Sequence, residues 1–198
     1  INTQPVDETI PLEGFTLSVT ADNIGAKQRG EVQTVTFDQD VFGDWSSDTF
    51  QNGVLKYVSN EGTYTTQLDL DENEIEQGKR FMLDLGIVYS PVTVVVNDIE
   101  IGKVEFVPYE IDVTSALKQG INTIIIKTQP LGNNRRIGFR EYYNETKDPE
   151  YIYYGKYIEY IAGLGGKEEV INTGIEGPIQ LNVYQADVQA DKGILNSV

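Results

Sequence analysis

The sequence contains no cysteine and no histidine among its 198 residues, and it has one tryptophan and one methionine. These absences exclude nucleophilic sites of the Ser-His-Asp or Cys-His type, zinc sites with imidazole or thiolate ligands, iron–sulfur clusters and disulfide scaffolds. Carboxylate chemistry, binding of a hard cation and ligand binding without chemistry remain open. The length is that of one domain of ordinary size, enough to bury a hydrophobic core.

Positive charge is also scarce, since 15 Lys and Arg face 31 Asp and Glu for a net charge of −16. Proteins bind nucleic acids and anionic lipids chiefly by neutralising phosphates with Lys and Arg. Because this chain is strongly acidic, no nucleic-acid partner is predicted. The longest apolar runs, such as residues 92–96, have the length of a strand, and no membrane insertion is expected. The first residue is Ile1, and no signal-peptide pattern follows. We therefore expect a mature or excised segment of a bacterial periplasmic or extracellular protein, which the lack of cysteine also fits.

Short stretches rich in β-branched residues dominate the chain and predict strands. In residues 63–70, polar and apolar positions alternate so that Tyr64, Thr66, Leu68 and Leu70 share one face. Asn97 and Asp98 separate two such stretches, which is the spacing of a tight hairpin with positive φ at its turn. The predicted strands span residues 63–70, 80–85, 92–96, 99–107, 121–128 and 178–184.

One helical turn is predicted over residues 115–119, with Thr114 at its N-terminus and Gly120 at its exit. Many short strands with so little helix predict an all-β fold, an antiparallel β-sandwich of the jelly-roll kind. The first thirty residues are less clearly patterned. We interpret residues 1–30 as an N-terminal extension or the end of a preceding segment, and residues 31–198 as the jelly-roll domain.

The carboxylates identify no catalytic or metal site. The acidic stretch that opens at Asp69 places oxygen ligands like a calcium loop, but Glu74 occupies the glycine position and Arg80 the position of the bidentate carboxylate. We interpret the stretch as a solvated acidic turn. No cofactor is predicted, although a structural Ca²⁺ elsewhere stays open. With 31 acidic residues, the presence of Asp and Glu is no evidence for glycoside hydrolysis.

The tyrosines are unevenly distributed, because seven of the 12 lie between positions 142 and 160. A tyrosine offers a flat apolar face to a sugar ring and a hydroxyl to its polar edge. Tyrosine is also a good strand former, so alternate members could simply pack into the sandwich. Both interpretations stay open. The candidate ligand-binding tyrosines are Tyr142, Tyr143, Tyr151 and Tyr154.

Two other groups of residues are candidates for sugar binding. Asn133, Asn134, Arg135 and Arg136 follow a proline and a glycine, which predicts a loop whose amides and guanidinium groups fork to sugar hydroxyls or a carboxylate. They could equally pair with acidic residues of the chain. Trp45 lies among Asp and Ser residues and is either a stacking residue or, as the sequence favours, an anchor that closes the sandwich.

Seven stretches occur in one order along the chain and carry turn glycines, prolines and asparagines between aliphatic positions. They are Trp45 followed by Asn60-Glu61-Gly62-Thr63-Tyr64; Leu83-Asp84-Leu85-Gly86; Val94-Val95-Val96-Asn97 with Gly102; Pro108-Tyr109-Glu110-Ile111-Asp112-Val113-Thr114; Leu117-Lys118-Gln119-Gly120-Ile121-Asn122; Asn134-Arg135-Arg136-Ile137-Gly138; and Thr173-Gly174-Ile175-Glu176-Gly177-Pro178-Ile179-Gln180-Leu181.

Together these stretches resemble the galactose-binding-like jelly-roll domains that accompany the catalytic domains of glycoside hydrolases, notably β-galactosidases, β-glucuronidases and large α-L-rhamnosidases. Phe139 stands where the family often has Asp. The resemblance implies a non-catalytic carbohydrate-binding or accessory domain, with a polysaccharide and a catalytic domain as partners. An interdomain scaffold without glycan binding of its own is the alternative. The matched residues make turns and fill the core, so the resemblance implies function only by association.

Overall fold

The computed structural model describes residues 5–72, 75, 78–156 and 169–185, and there the chain forms strands, one long helix and short helical turns. The elements are β1 (Glu8–Pro11), β2 (Thr16–Ala21), β3 (Gln33–Phe37), β4 (Gly62–Leu70), β5 (Lys79–Asp84), β6 (Ile87–Val88), β7 (Val92–Val96), β8 (Ile99–Val104), β9 (Glu110–Asp112), β10 (Gly120–Thr128), α1 (Asn133–Thr146), β11 (Ile175–Gly177) and β12 (Gln180–Gln185).

The strands form a six-stranded sheet, a four-stranded sheet and a short two-stranded pair. The six-stranded sheet has the order β3-β2-β4-β10-β7-β8, the four-stranded sheet has the order β1-β12-β5-β9, and β11 pairs with β6. The strand pairs are antiparallel, and β4 and β10 are joined along their whole length from Gly120–Leu70 to Thr128–Gly62. The prediction of an antiparallel β-sandwich is confirmed.

The core lies between the two large sheets and follows the alternation of the strands. On β4, Tyr64 and Thr66 are buried while Thr63 and Thr65 are only partly so, which confirms the predicted inward face. On the opposite sheet, Leu181 and Val183 of β12 point into the same cluster. The buried hydroxyl of Thr66 donates to the carbonyl oxygen of Glu13 at 2.5 Å, so this polar group inside the core is satisfied.

The hairpin between β7 and β8 turns at Asn97 and Asp98, whose φ angles are +50° and +65°. The positive φ predicted for this turn is therefore confirmed. Asn97 also ties the hairpin to its neighbour, because its Nδ2 donates to the Ala116 carbonyl oxygen and its Oδ1 accepts from the Thr123 N–H. The β8 strand ends at Val104, three residues before the predicted end.

The interpretation of residues 1–30 as an extension is wrong for the described part, because this stretch supplies two strands of the sandwich. β1 pairs with β12 at one edge of the four-stranded sheet, and β2 lies between β3 and β4. Leu17 and Val19 of β2 are buried in the core. Their alternation with polar residues spans only six positions, too few to stand out against the loops on either side.

The predicted helical turn is shorter than expected. A single 3-10 turn covers Thr114–Ala116, and Leu117 is already extended. The Asn122 side chain explains the early end, since it accepts from the Lys118 N–H and donates to the Lys118 carbonyl oxygen. The positive φ predicted for Gly120 is confirmed at +83°.

The predictions of a loop at residues 133–136 and of only one helical turn are wrong, because α1 begins at Asn133 and runs for 14 residues. Its buried positions include Asn134, Ile137 and Gly138, a spacing of three and four that is helical rather than strand-like. Gly138 allows close packing, because a Cβ there would lie 2.9 Å from Cγ of Tyr57. Within the described part of the chain, no helix combines the length and the apolar character needed to cross a membrane.

The indole of Trp45 is fully buried between two glycines of the sandwich. Its Nε1 donates to the Tyr64 hydroxyl at 2.9 Å, so the one polar atom of the ring is satisfied. A Cβ on Gly62 would lie 2.1 Å from the indole, and a Cβ on Gly174 would lie 2.5 Å from it. Trp45 is therefore the anchor that the sequence favoured, and it presents no surface to a ligand.

We expect Gly62→Ala to lower the free energy of unfolding by about 1–3 kcal/mol, because the new methyl group would overlap the Trp45 ring. Urea denaturation followed by tryptophan fluorescence measures the change. Gly30→Ala is the matched control, since its methyl group would meet the Asp22 carbonyl oxygen at an ordinary 3.4 Å. Equal losses in the two variants would contradict the packing argument.

Candidate functional site

One hollow of the sandwich surface is formed by residues 38–53, which connect β3 to the segment before β4. This hollow, the 38–53 groove, has a volume of about 510 Å³. An adjoining hollow of about 380 Å³ shares Asp40 and Phe42 with it. The groove is lined by side chains that include Asp40, Phe42, Asp44, Ser47, Phe50 and Asn52.

Two aromatic rings line the groove, and each is held in place from below. The half-buried ring of Phe42 stacks on Tyr64 at a centroid distance of 5.7 Å and meets Phe15 edge-on at 5.0 Å. The Phe50 ring lies over Gly43, where a Cβ would come within 2.6 Å of it. The groove thus presents apolar faces in fixed orientations, which lowers the entropy cost of ligand binding.

Asp44 fixes the backbone at the floor of the groove. Its Oδ1 accepts from the Ser46 N–H at 2.9 Å and from the Thr173 N–H at 3.1 Å, and its Oδ2 accepts from the Ser46 hydroxyl. Two backbone hydrogen bonds run beside it, from the Gly43 N–H to Ile175 and from the Trp45 N–H to Thr173. The segment 43–46 is therefore attached to residues 173–175 and has little freedom to move.

The opposite wall contains backbone in the left-handed region. Asp40, Gln51 and Asn52 have φ angles of +49°, +46° and +57°. For residues other than glycine this backbone conformation costs free energy, and residues that adopt it cluster at functional sites. The Gln51 side-chain amide holds the wall together, because it donates to the carbonyl oxygens of Gln39 and Asp40 at 2.8 and 2.9 Å.

The charged side chains that line the groove are negative. Asp40 and Asp44 line it, and no Lys or Arg is among its described lining residues. Carboxylates of this kind accept hydrogen bonds from hydroxyl groups, and Asn52 can both donate and accept. An anionic group would be repelled. The groove is therefore suited to a neutral, hydroxyl-rich ligand that also has an apolar face.

Asn134 and Arg135, both predicted as ligand contacts, bind other parts of the protein. Asn134 is fully buried and exchanges two hydrogen bonds with the Ile171 backbone, at 2.8 and 2.9 Å. Arg135 donates to both carboxylate oxygens of Asp22 at 2.6 Å and to Asn60 at 3.1 Å. Of the two alternatives that the sequence left open, pairing within the chain is the one observed.

The four candidate tyrosines lie on helical rather than extended backbone. Tyr142 and Tyr143 belong to α1, Tyr151 ends a short 3-10 turn, and Tyr154 lies in the helical segment that begins at residue 152. The alternative that they pack into the sandwich as strand residues is therefore not what the structure shows. Two further members of the tyrosine-rich region, Tyr157 and Tyr160, lie outside the described residues.

Three of these tyrosines, Tyr142, Tyr151 and Tyr154, pack against other aromatic rings of the protein. Tyr151 is buried and meets Phe139 and Tyr142 edge-on, at centroid distances of 5.3 and 5.1 Å. Tyr154 meets Phe139 at 4.9 Å. Tyr142 and Tyr154 keep part of their surface exposed, as does Tyr143, which lies against Gly155. A ligand role for Tyr142, Tyr143 and Tyr154 stays a prediction, whereas the buried Tyr151 is not accessible to a ligand.

Two arginines cover the aromatic cluster. The guanidinium carbons of Arg29 and Arg135 each lie 5.3 Å from the centroid of Phe139, a cation–π arrangement. The backbone N–H of Arg29 also donates to the Tyr151 hydroxyl at 3.0 Å. Phe139, which replaces the Asp common in the family pattern, is thus the centre of a packed contact between α1 and residues 22–29.

A second polar contact joins α1 to the sandwich. The Tyr57 hydroxyl donates to Glu141 at 2.6 Å, and Lys27 lies 3.3 Å from Glu141 and 2.5 Å from Glu145. Partial burial and the neighbouring Glu141 carboxylate raise the pKa of the Tyr57 phenol, so it stays a hydrogen-bond donor across the physiological range. This contact supports the fold rather than a reaction.

No group of three or more acidic side chains is placed to hold a metal ion among the residues that the structure describes. The acidic turn that opens at Asp69 lies partly outside those residues, since positions 73 and 74 are not described. A structural Ca²⁺ stays a prediction.

The residues that line the groove were not predicted from the sequence, although a signal was present. Residues 36–53 contain Phe37, Phe42 and Phe50 together with four aspartates. Aromatic rings within a polar, turn-rich stretch are typical of a binding loop. Trp45, in the same segment, supports the groove from beneath.

Comparisons with known proteins agree on the kind of domain. Residues 15–156 match the model of a family described as glycosyl hydrolase 2 galactose-binding domain-like. A curated protein of Formosa agariphila, named "Putative beta-glucuronidase", is 25% identical over 171 residues, which cover 77% of this chain and 14% of that protein.

Two solved structures also superpose on parts of this chain. A rhamnosidase from Novosphingobium sp. PP1Y superposes on 93% of this chain with a TM-score of 0.60 and 19% identity, over 16% of its own length. A Bifidobacterium dentium beta-glucuronidase superposes on 65% of this chain and 21% of its own, with a TM-score of 0.46 and 19% identity. The chain therefore spans only a small part of these similar proteins.

We expect Tyr151→Ala to lower the free energy of unfolding by about 3–5 kcal/mol, because it removes the buried ring that joins Phe139 and Tyr142. Tyr153→Ala is the matched control and should cost less than about 1 kcal/mol, since Tyr153 is 66% exposed. Thermal and urea unfolding measure both. A small loss for Tyr151→Ala would show that the aromatic cluster is not a packed core.

Proposed function

Because this chain belongs to the glycosyl hydrolase 2 galactose-binding domain-like family, we propose that it is the non-catalytic carbohydrate-binding domain of a secreted or periplasmic glycan-degrading protein. Domains of this family are parts of glycoside hydrolases, and the match covers residues 15–156. The observation that supports sugar binding is the 38–53 groove, where two fixed aromatic rings lie beside carboxylate and amide groups.

The chemistry of the groove matches a neutral sugar. The C–H face of a pyranose ring would lie on Phe50 or Phe42, since a flat apolar face is what an aromatic ring binds. The hydroxyl groups at the ring edge would donate to Asp40 and Asp44 and exchange hydrogen bonds with Asn52. Each such contact is worth on the order of 1 kcal/mol, so the proposed affinity is micromolar to millimolar.

The domain would act by retention rather than by reaction. A module that holds a glycan weakly raises the local concentration of substrate near a linked catalytic domain. The proposal assigns no acid, base or nucleophile to this chain. The catalytic partner would determine the activity of the whole protein, including the class of glycan that it degrades.

A second candidate function rests on one exposed apolar site. Phe106 and Val107, in the connection between β8 and β9, are 79% and 75% exposed. Adjacent large apolar side chains with this exposure are typical of a contact with another protein surface. On this alternative the domain would be a scaffold that packs on a catalytic neighbour and binds no glycan alone.

Affinity electrophoresis of the chain against a panel of neutral and acidic polysaccharides tests the first candidate. We expect retardation by one class of neutral glycan, and we expect both Phe50→Ala and Asp40→Asn to raise the Kd about fivefold, which corresponds to the loss of about 1 kcal/mol. Asp40 is exposed, so its variant keeps the fold even if Phe50→Ala does not.

Phe106→Ala is the matched control, because it removes the same ring from an exposed site that is not part of the groove. Its affinity for the retarding glycan should equal that of the unchanged protein. Retention on no glycan would overturn the binding proposal and leave the scaffold. A glycan affinity that depends on Phe106 rather than Phe50 would place the binding site elsewhere.

A further inference from the structure

The outer face of the six-stranded sheet carries a second groove, here called the lysine groove, that the proposed function does not use. Its volume is about 320 Å³, within the range of about 300–1,000 Å³ that is usual for small-molecule sites. Lys103, Thr93 and Lys127 line it together with Glu61 and Glu105, and Leu131 is part of its rim.

The strand register brings the two lysines together. Lys127 of β10 lies opposite Thr93 of β7, and Thr93 lies opposite Lys103 of β8. Their core-facing neighbours, such as Val92 and Ile126, are buried. Residues that pair in this way project from the same face of a sheet, so the side chains of Lys127 and Lys103 leave the sheet on either side of Thr93.

Neither lysine has an acidic partner within the part of the chain that the structure describes. Ion pairs in that part of the chain are formed by other cations, such as Lys27, Lys56, Arg80 and Arg135. Glu61 and Glu105 line the same groove, and neither of them forms an ion pair with Lys103 or Lys127. The groove thus holds two cations without ion pairs in a chain with 31 acidic and 15 basic residues.

The combination of groups restricts the ligand. A simple anion would satisfy the two ammonium groups but would face the carboxylates of Glu61 and Glu105. A neutral polyol would donate to those carboxylates but would leave Lys103 and Lys127 without an anion. A ligand with one carboxylate and several hydroxyl groups satisfies both sets. The 62% exposed side chain of Leu131 offers it an apolar wall.

We propose that the lysine groove binds an acidic sugar ring, with its carboxylate between Lys103 and Lys127 and its hydroxyl groups donating to Glu61 and Glu105. The identification of the ligand as a sugar rests on the proposed function. The site itself is distinct, since its residues are not those of the 38–53 groove. The acidic 38–53 groove excludes the ligand class that the lysine groove selects.

Titration of the isotope-labelled chain with galacturonate, galactose and acetate, followed by NMR, tests this site. We expect galacturonate to shift the amide signals of Thr93, Lys103 and Lys127, and to bind about tenfold more tightly than galactose or acetate. Added salt should weaken galacturonate binding, because the contact is an exposed ionic one. Equal affinity for galactose and galacturonate would overturn the proposal.

Charge-neutral variants locate the site. Lys103→Gln and Lys127→Gln should each raise the Kd for galacturonate about threefold, as expected for an exposed ion pair. Lys118→Gln is the matched control, because it removes the same charge from an exposed position outside the groove and should leave the Kd unchanged. An unchanged Kd in the Lys103 and Lys127 double variant would overturn the proposal.

The outcomes for the two grooves can be told apart. Galacturonate binding that survives Phe50→Ala, with neutral glycan retention lost, would support two independent sites. Absence of neutral glycan retention, together with galacturonate shifts at Thr93, would overturn the first groove and support the second. Binding of the open-chain acid gluconate as tightly as galacturonate would overturn the assignment to a sugar ring.

Discussion

The burial of one indole ring between two glycines is the contact on which the 38–53 groove depends. Trp45 fills the space that side chains on Gly62 and Gly174 would otherwise take, and its N–H is satisfied by Tyr64. Tyr64 in turn carries the stacked ring of Phe42. The apolar wall of the groove thus rests on a buried residue that no ligand touches, and the precision of the site comes from core packing.

The sandwich was largely predictable because its strands alternate strongly and its turns have clear chemistry. The stretch 92–96 is bounded by Pro91 and the Asn97-Asp98 turn, and β7 has those bounds. β2 and α1 were missed for different reasons. β2 is short and flanked by loops. The start of α1 follows Pro130 and Gly132, which predicted a loop although the buried positions of α1 have helical spacing.

The candidate site was less predictable than the fold, because exposure is a property of the folded chain. Trp45 and Asn134 have the chemistry of ligand contacts, yet both are fully buried and hydrogen-bonded inside the protein. Phe50 is an ordinary aromatic residue in sequence, and its role depends on Gly43 beneath it. The pairing of Lys103 with Lys127 across Thr93 requires a strand register that residues far apart in sequence do not reveal.

The pairing of β1 with β12 has a mechanical meaning. Glu8 lies opposite Val183, and Pro11 lies opposite Gln180, so the start of β1 and the end of β12 are neighbours at one end of the ladder. A force that pulled these two ends apart would load one residue pair at a time. The hydrogen bonds between the strands would open in sequence, as in a zip, and would not share the load as they do in shear. Tension between these two ends would therefore separate β1 from β12 first.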